Sequence, residues 1–278
     1  MTGPSVYVSV DMEGCADLVH WDEVRPGPSA EYERARRIMT HEVNAVVVGA
    51  FEGGAARVVV NDSHSTMRNL IAGELDPRAV VVSGRLKPQF MLEGIGGGFE
   101  LAFFVGYHGA IGDGNAVMGH TYSPRIIYEC RLHGRAVGEI TINAALAGHY
   151  GVPVALVSGD ATTLEEAKQA APLALGVETK RSISYYAADS LSPAVVREDL
   201  RSAATRAVRD AGAFQPLLLE TPIVMEFDTL TTAHADVLSW IPSAQRASAR
   251  TIRFQLPDAA EMYRALMAVI YLGATASR

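Results

Sequence analysis

The sequence has few cysteines, no concentrated positive charge and no uninterrupted apolar run. Its two cysteines, Cys15 and Cys130, are too few for a disulfide framework, so we interpret them as semi-buried thiols and expect a reducing cytoplasm. Lys and Arg total 24 against 31 Asp and Glu, which gives a net charge of -7 with no basic cluster. This balance excludes a nucleic-acid or anionic-membrane surface.

The longest uncharged segment lies between Glu139 and Asp160 and is long enough to raise the question of a transmembrane helix. Residues such as Asn143 and Pro153 interrupt it, which predicts a helix, a turn and a short strand instead. The first basic residue is Arg25, so the apolar start lacks the charged segment that opens a signal peptide. We therefore expect neither a membrane partner nor a cleaved leader.

With 278 residues, 49% of them apolar and 20% charged, the chain can bury one large core or two intertwined lobes. Short β-branched runs alternate with helical periodicity, which is typical of a parallel sheet covered by helices. Apolar residues spaced by three and four from Tyr32 to Ala50 predict a long helix. The predicted strands are residues 5–10, 57–60, 79–82, 101–105 and 152–157.

A predicted hairpin of residues 126–132 and 136–138 interrupts this alternation, and after residue 190 the order becomes helix, strand, helix, strand, helix. We predict the α/β class, with a mainly parallel three-layer sheet sandwiched by helices and a second, smaller intertwined α/β lobe. Residues 1–190 would form the metal-binding catalytic domain and residues 191–278 the C-terminal lobe. Later helix starts are predicted at Thr162 with Glu165, at Ser192 before Pro193, and at Asp258 with Glu261.

Carboxylate and imidazole side chains follow three of the predicted strands. Asp11 and Glu13 follow the first strand and share a face because they are two residues apart. His64 follows the second strand, and His108 follows the fourth. Because ligands bind beyond the carboxyl ends of the strands in open α/β sheets, we expect these groups to meet. Glu139, at the start of a helix after the hairpin, is a candidate fifth member.

These five residues form a plausible set of metal ligands. Adjacent carboxylates repel unless a cation lies between them. Mixed His and carboxylate ligands suit zinc, with manganese or cobalt as alternatives. Five ligands exceed the need of one catalytic zinc and suit two ions about 3.5 to 4 Å apart. Asp11, the first residue after its strand, is our candidate bridge between them.

One further histidine is distinguished by its setting. The glycine-rich segment 109–120 ends on Met118-Gly119-His120, and a mobile loop would carry His120 over the metals. There its imidazole would transfer a proton or stabilise an oxyanion. The alternative is a flexible hairpin tip with an incidental histidine. The histidines without a strand-end setting are interpreted as surface or packing residues: His20, His41, His133, His149 and His234.

Five separated motifs, in the same order and spacing, resemble those of the DppA-type zinc D-aminopeptidases. They are Asp11-Met12-Glu13-Gly14, Asn61-Asp62-Ser63-His64-Ser65, Gly106-Tyr107-His108, Met118-Gly119-His120 and Val137-Gly138-Glu139. The resemblance implies a cytoplasmic peptidase with two zinc ions per subunit that removes an N-terminal D-amino acid, such as D-Ala, from short peptides. It also implies a decamer. By resemblance the metal ligands are Asp11, Glu13, His64, His108 and Glu139, and the catalytic residue is His120.

The predicted reaction is attack of a metal-bound hydroxide on the scissile carbonyl, assisted by His120. Metal ligands alone do not identify a substrate, so another two-metal hydrolase, either an amidase or a phosphatase, stays an alternative. A second alternative is a non-enzymatic, peptide-binding accessory of dipeptide transport.

Overall fold

A computed structural model describes residues 3–277. Its strands are β1 (Ser5–Val10), β2 (Arg57–Asp62), β3 (Val80–Val82), β4 (Leu101–Tyr107), β5 (Ile127–Leu132), β6 (Arg135–Ala136), β7 (Val154–Asp160), β8 (Leu175–Ser184), β9 (Ala187–Ser190), β10 (Ile223–Thr229), β11 (Gln245–Arg246) and β12 (Thr251–Leu256). Its helices are α1 (Trp21–Val24), α2 (Ala30–Glu52), α3 (Glu139–His149), α4 (Ala161–Ala170), α5 (Pro193–Arg209), α6 (Thr232–Leu238) and α7 (Ala259–Gly273).

The larger sheet has seven strands in the order β3-β2-β1-β4-β7-β8-β9. Neighbouring strands from β3 to β8 are parallel, and only the edge strand β9 runs antiparallel to its neighbour. The prediction of a mainly parallel sheet is confirmed. Because β2, β1 and β4 are adjacent, their carboxyl ends lie side by side at one edge of the sheet.

Apolar side chains alternate between the two faces of this sheet, as the pleat of a strand requires. Val6, Val8 and Val10 of β1 belong to a core shared with α2 and α5, whereas Tyr7 belongs to a core shared with α3, α7 and the smaller sheet. The sheet is therefore covered on both faces, as predicted. Ser29 caps α2 by accepting a hydrogen bond from the backbone N–H of Tyr32 at 3.1 Å.

The smaller sheet is antiparallel, with strand order β11-β12-β10-β5-β6, and α6 and α7 pack against it. The smaller sheet includes the hairpin β5–β6, which comes from the first half of the chain. Conversely, α5, from the second half, packs on α2 of the larger sheet. A Cβ atom at Gly49 of α2 would lie 2.2 Å from the carbonyl oxygen of Arg201 on α5, so glycine permits this close approach. The two lobes are intertwined. The division at residue 190 stays a prediction, and both of these contacts cross it.

Several boundaries differ from those predicted. β2 continues to Asp62 and β4 to Tyr107, so polar residues expected beyond the strand ends occupy their last positions. α4 is capped by Asp160 rather than by Thr162, because the Asp160 carboxylate accepts from the backbone N–H of Thr163. β8 and β9 were not predicted, since charged residues such as Glu178, Lys180 and Arg181 obscure the strand pattern of this hairpin.

The uncharged segment between residues 139 and 160 forms α3 and β7, as the interpretation of a helix, a turn and a strand predicted. Within residues 3–277, no helix combines the length and apolar character that a membrane crossing requires. The thiols of Cys15 and Cys130 are fully buried rather than semi-buried, and neither forms a disulfide.

Candidate metal centre

The five predicted ligands converge at one edge of the larger sheet. Asp11 and Glu13 follow β1, His64 follows β2, and His108 follows β4. Glu139 is the first residue of α3, which enters the same region from the second core. All five residues are at most 5% exposed. Strand adjacency, the short loops after each strand and the position of α3 thus bring together side chains from four separate parts of the chain.

Asp11 contacts both imidazoles of the cluster. Its Oδ1 atom lies 3.0 Å from Nδ1 of His64, and its Oδ2 atom lies 3.4 Å from Nε2 of His108. Glu13 Oε2 is also 3.0 Å from the same His64 nitrogen, and Glu139 Oε1 is 3.5 Å from Nε2 of His108. Asp11 thus lies between the two histidines, and its predicted role as a bridge between two ions stays a prediction.

Each of these histidines has its second ring nitrogen fixed by a backbone carbonyl. His64 Nε2 lies 2.7 Å from the carbonyl oxygen of Val24, and His108 Nδ1 lies 3.0 Å from that of Gly109. Because a carbonyl oxygen only accepts hydrogen bonds, these nitrogens must donate. The opposite nitrogens therefore point their lone pairs at the carboxylates when the rings are neutral. Histidines that bind metals are oriented by the same kind of contact.

Two atoms of the cluster are buried without a hydrogen-bond partner among the described residues. They are Glu13 Oε2 and His108 Nε2. His64 Nδ1 lies 3.0 Å from both Glu13 Oε2 and Asp11 Oδ1, and because a ring nitrogen has at most one hydrogen it cannot satisfy both oxygens. Buried polar groups left without partners cost about 1 to 3 kcal/mol each. A cation placed here would satisfy both atoms, so the residues present fit a metal ion.

Candidate ligand atoms fall into two overlapping groups that share His108. One group contains Asp11 and Glu13, the other contains His120 and Glu139, and the ligand atoms of each group lie within 4.8 Å of one another. These groups differ from the predicted ligand set, because they include His120, which is predicted to be catalytic, and leave out His64. The ligand assignment stays a prediction.

The carboxylates dominate the electrostatics of the cluster. Burial by itself opposes a charged imidazole, yet Glu13 and Asp11 raise the pKa of His64 well above its ordinary value. Glu139 and Asp11 do the same for the pKa of His108. Burial would raise the pKa of Asp11, but its contacts with His108 and His64 hold that pKa well below its usual range. The carboxylate oxygens of the site therefore favour a positively charged group placed between them.

His120 lies against this cluster. Its ring stacks on that of His108, with centroids 3.9 Å apart, and the Trp21 ring meets it edge-on at 5.2 Å. His120 Nδ1 is 2.9 Å from the carbonyl oxygen of Met118, so Nδ1 donates and Nε2 is the nitrogen that can accept a proton. Burial and the neighbouring charge of His108 lower the pKa of His120, which favours the neutral ring. This position argues against an incidental histidine at a hairpin tip.

The other histidines lie apart from the cluster. His234 is buried between Thr231 and Ser277, whereas the remaining four are exposed: His20, His41, His133 and His149.

Sequence reasoning missed the lysine that holds the loop carrying Asp11 and Glu13. Lys180, buried on β8, donates from Nζ to the carbonyl oxygens of Glu13 at 2.5 Å and Cys15 at 2.8 Å, and also to that of Leu18. The neighbouring Thr179 hydroxyl donates to the carbonyl oxygen of Gly14 at 2.6 Å. A single lysine in an unpredicted strand gives no signal that sequence reasoning could have used.

A cavity of about 560 Å³ opens beside the cluster. Its walls include Asp11, Glu13, His64, His120 and Glu139, together with Trp21, Tyr122 and three arginines. The volume is in the range of small-molecule and cofactor sites, about 300 to 1,000 Å³. A larger cavity, about 800 Å³, lies between the hairpin β5–β6 and α4 and is lined by none of the five predicted ligands. Fold, cluster and cavity together are typical of metal-dependent hydrolases.

Comparison with known proteins identifies the family. The family model of the D-aminopeptidases, peptidase family M55, matches residues 5–268. A D-aminopeptidase of Bacillus subtilis strain 168 is 35% identical over 270 residues, which cover 96% of this chain and 97% of that protein. A solved structure, described as the Zn-dependent D-aminopeptidase DppA from Bacillus subtilis, a self-compartmentalizing protease, matches with a TM-score of 0.92 and 34% identity. That match covers 97% of this chain and 98% of the other.

The chain therefore belongs to the M55 family of D-aminopeptidases. The resemblance predicted from the sequence motifs is confirmed, and the structural match confirms the predicted fold class.

Proposed function

We propose that the protein is a di-zinc aminopeptidase that releases an N-terminal D-amino acid, such as D-Ala, from short peptides. The observation that carries the proposal is the buried cluster of carboxylates and imidazoles, in which Glu13 Oε2 and His108 Nε2 have no hydrogen-bond partner among the described residues. Membership of the D-aminopeptidase family supports the reaction class. The description of a relative as Zn-dependent supports the choice of metal.

Asp11, Glu13 and His64 would hold one zinc ion, and Asp11, His108 and Glu139 the other. When bound, two such ions would supply Lewis acidity and lower the pKa of a water molecule to about 7. The chain itself supplies rigid ligands: Lys180 fixes the loop after β1, and the N–H of Tyr122 donates to Glu139 Oε1 at 2.7 Å. The cavity beside the cluster would admit the peptide.

His120 would move the proton that hydrolysis releases. The neutral ring accepts a proton at Nε2 when water adds to the scissile carbonyl, and it returns that proton to the leaving amine as the C–N bond breaks. Once charged, the ring would also stabilise the developing oxyanion. Stacking on His108 and the edge contact with Trp21 hold the ring in place for either role.

The proposal is tested by measuring zinc content and D-alanine release in the same variants. We expect His120→Ala to lower kcat on D-alanyl-p-nitroanilide by about 100-fold or more while leaving zinc per subunit unchanged. His64→Ala and Asp11→Ala should lower the zinc content. A chelator should abolish turnover, and added zinc should restore it.

The exposed His149, replaced by Ala, is the matched control and should change neither quantity. Loss of zinc in His120→Ala would show that His120 is a ligand. Full zinc occupancy in both His64→Ala and Asp11→Ala would overturn the ligand assignment.

A phosphatase is the second candidate, because three arginines in the cavity favour an anionic substrate. Parallel assays with p-nitrophenyl phosphate and D-alanyl-p-nitroanilide separate the two reactions. Turnover of either substrate that depends on zinc would exclude a non-enzymatic accessory of peptide transport.

The proposal includes assembly of the chain as a cytoplasmic homo-decamer. The description of a relative as a self-compartmentalizing protease supports an oligomer that encloses its active sites. The scarcity of cysteine supports a reducing compartment.

A further inference from the structure

Three arginines line the cavity beside the cluster: Arg25, Arg85 and Arg125. Within residues 3–277, no carboxylate forms an ion pair with any of the three. The chain as a whole carries a net charge of -7, so the positive charge of these three arginines is opposite in sign to that of the protein. The carboxylates in the same cavity are those that face the two histidines. Positive charge is thus available for an anionic group that enters from outside.

Aromatic rings support two of these arginines. Arg25 Cζ lies 5.7 Å from the centre of the Trp21 ring, and Arg85 Cζ lies 5.6 Å from that of Tyr271. A guanidinium stacked in this way keeps its N–H edge free for a carboxylate, which it binds through two parallel hydrogen bonds. The Tyr271 hydroxyl, in the same cavity wall, is buried and has no partner among the described residues. It can donate to the same anion.

Arg25 is connected directly to the cluster. The carbonyl oxygen of its neighbour Val24 accepts the hydrogen bond from His64 Nε2. The Trp21 ring lies 5.7 Å from Arg25 Cζ and 5.2 Å from the His120 ring, so Arg25 Cζ is at most about 11 Å from the His120 centroid. Each residue of an extended peptide spans about 3.3 to 3.6 Å. A guanidinium at this range can reach a group one or two residues past the bond that is cut.

We propose that Arg25, assisted by Arg85 and Arg125, forms a subsite for the C-terminal carboxylate of the peptide. The inference rests on the proposed function and specifies its substrate class as dipeptides and tripeptides with a free C-terminus. A longer peptide carries its carboxylate beyond the reach of Arg25, and an amidated peptide offers no negative charge. The cavity, about 560 Å³, matches a ligand of this size.

The test compares D-Ala-Gly with D-Ala-Gly amide, which differ only in the terminal charge. We expect the unsubstituted enzyme to favour the free acid in kcat/KM by about tenfold or more. Arg25→Met should reduce this preference to near unity, mainly through KM for the acid. Arg57→Met is the matched control, because Arg57 is also exposed and lies over an aromatic ring, Phe99 at 5.0 Å, but outside the cavity. It should retain the full preference.

Equilibrium binding gives a readout that does not depend on turnover. In the His120→Ala background, titration calorimetry should show tighter binding of D-Ala-Gly than of its amide. Adding Arg25→Met should remove that difference, with zinc content as the check that the site is intact.

Equal hydrolysis of acid and amide by the unsubstituted enzyme would overturn this inference and leave the proposed function standing. An acid preference that survives Arg25→Met, Arg85→Met and Arg125→Met would also overturn it. Hydrolysis of p-nitrophenyl phosphate that requires Arg25, with no release of D-alanine from any peptide, would assign the arginines to a phosphate and defeat the proposed function as well.

Discussion

At the residue scale, the candidate site depends on buried polar groups, each of which is fixed by its own hydrogen bonds. Backbone carbonyls fix the tautomers of His64 and His108, and the ammonium group of Lys180 holds three carbonyls of the loop after β1. Beneath that loop lies a second buried charge-bearing group, Glu42 of α2, which accepts from the backbone N–H of Ala16 at 2.8 Å. Burial, the largest effect, raises the pKa of Glu42 from 4.5 to about 7.

The raised pKa of Glu42 predicts how stability changes with pH. Unfolding returns the Glu42 carboxyl to its ordinary pKa of 4.5. The stability that this carboxyl contributes is therefore fully present below pH 4.5 and is lost as the pH rises to about 7. Between about pH 5 and 8, the free energy of unfolding should fall by about 2 to 3 kcal/mol more in the natural protein than in Glu42→Gln. Urea unfolding at fixed protein concentration measures the difference.

The control for this experiment is Glu31→Gln, an exposed position on the same helix, which should leave the pH dependence as it is. A Glu42→Gln protein whose stability falls with pH as steeply as that of the natural protein would show that other groups carry the dependence.

At the element scale, the first turn of α3 decides where Glu139 points. The residue that precedes this helix is Gly138, which has no side chain to cap it. Glu166 of α4 takes that role: its Oε1 accepts from the N–H groups of Gly138 at 2.8 Å and Thr141 at 3.0 Å. A Cβ atom at Gly138 would lie 2.4 Å from Glu166 Oε2, so glycine at this position leaves room for the Glu166 carboxylate that caps the helix. The carboxylate also complements the positive end of the helix dipole.

Glu166→Ala should therefore destabilise the first turn of α3. We expect a loss of about 1 to 2 kcal/mol in the free energy of unfolding, since cap removal typically has this effect. Zinc affinity, measured by competition with a chelator, should fall because Glu139 is displaced.

The adjacent residue supplies the control for this prediction. Glu165 is 68% exposed and, among residues 3–277, forms an ion pair only with Lys168 on the same helix, so Glu165→Ala should leave zinc affinity unchanged. If both variants bound zinc like the natural protein, the cap would have no influence on the site.

At the scale of the whole molecule, each of the two sheets is built from separate segments of the chain. The β5–β6 hairpin pairs with β10, and α5 returns to the first sheet, so neither sheet is built from one continuous segment. One consequence is that α3 lies between the sheets and carries Glu139 to the edge where β1, β2 and β4 end. The candidate site is therefore a product of the full fold.

Assembly is the prediction that belongs to this scale. The subunit mass is 29.7 kDa, and we expect sedimentation equilibrium to give a closed, symmetric species of about ten times that mass. A monomer at concentrations where the enzyme turns over D-alanyl peptides would contradict the proposed assembly, although it would leave the chemistry of the cluster intact.

The sequence by itself determined the alternation of most strands and helices, although not β8 and β9, and the polar residues that follow β1, β2 and β4. It could do so because the periodicity of buried side chains and the polar residues after each strand are local features of the chain. Asp11, Glu13, His64 and His108 were singled out in this way, whereas Glu139 was chosen for its place at a helix start and His120 for the glycine-rich segment before it. The ends of β2 and β4 were placed too early, since buried Asp62 and Tyr107 continue the strands against neighbours that local pattern does not reveal.

Only the tertiary structure decided which distant side chains support that cluster. Lys180 reaches the loop after β1 across more than 160 residues of sequence, and Glu166 caps a helix that begins 27 residues before it. Arg25 and Trp21 belong to the same cavity as Arg125 only because the loops after separate strands fold over one sheet edge. Such contacts are set by how helices and sheets pack, and packing depends on the whole set of buried surfaces rather than on neighbours along the chain.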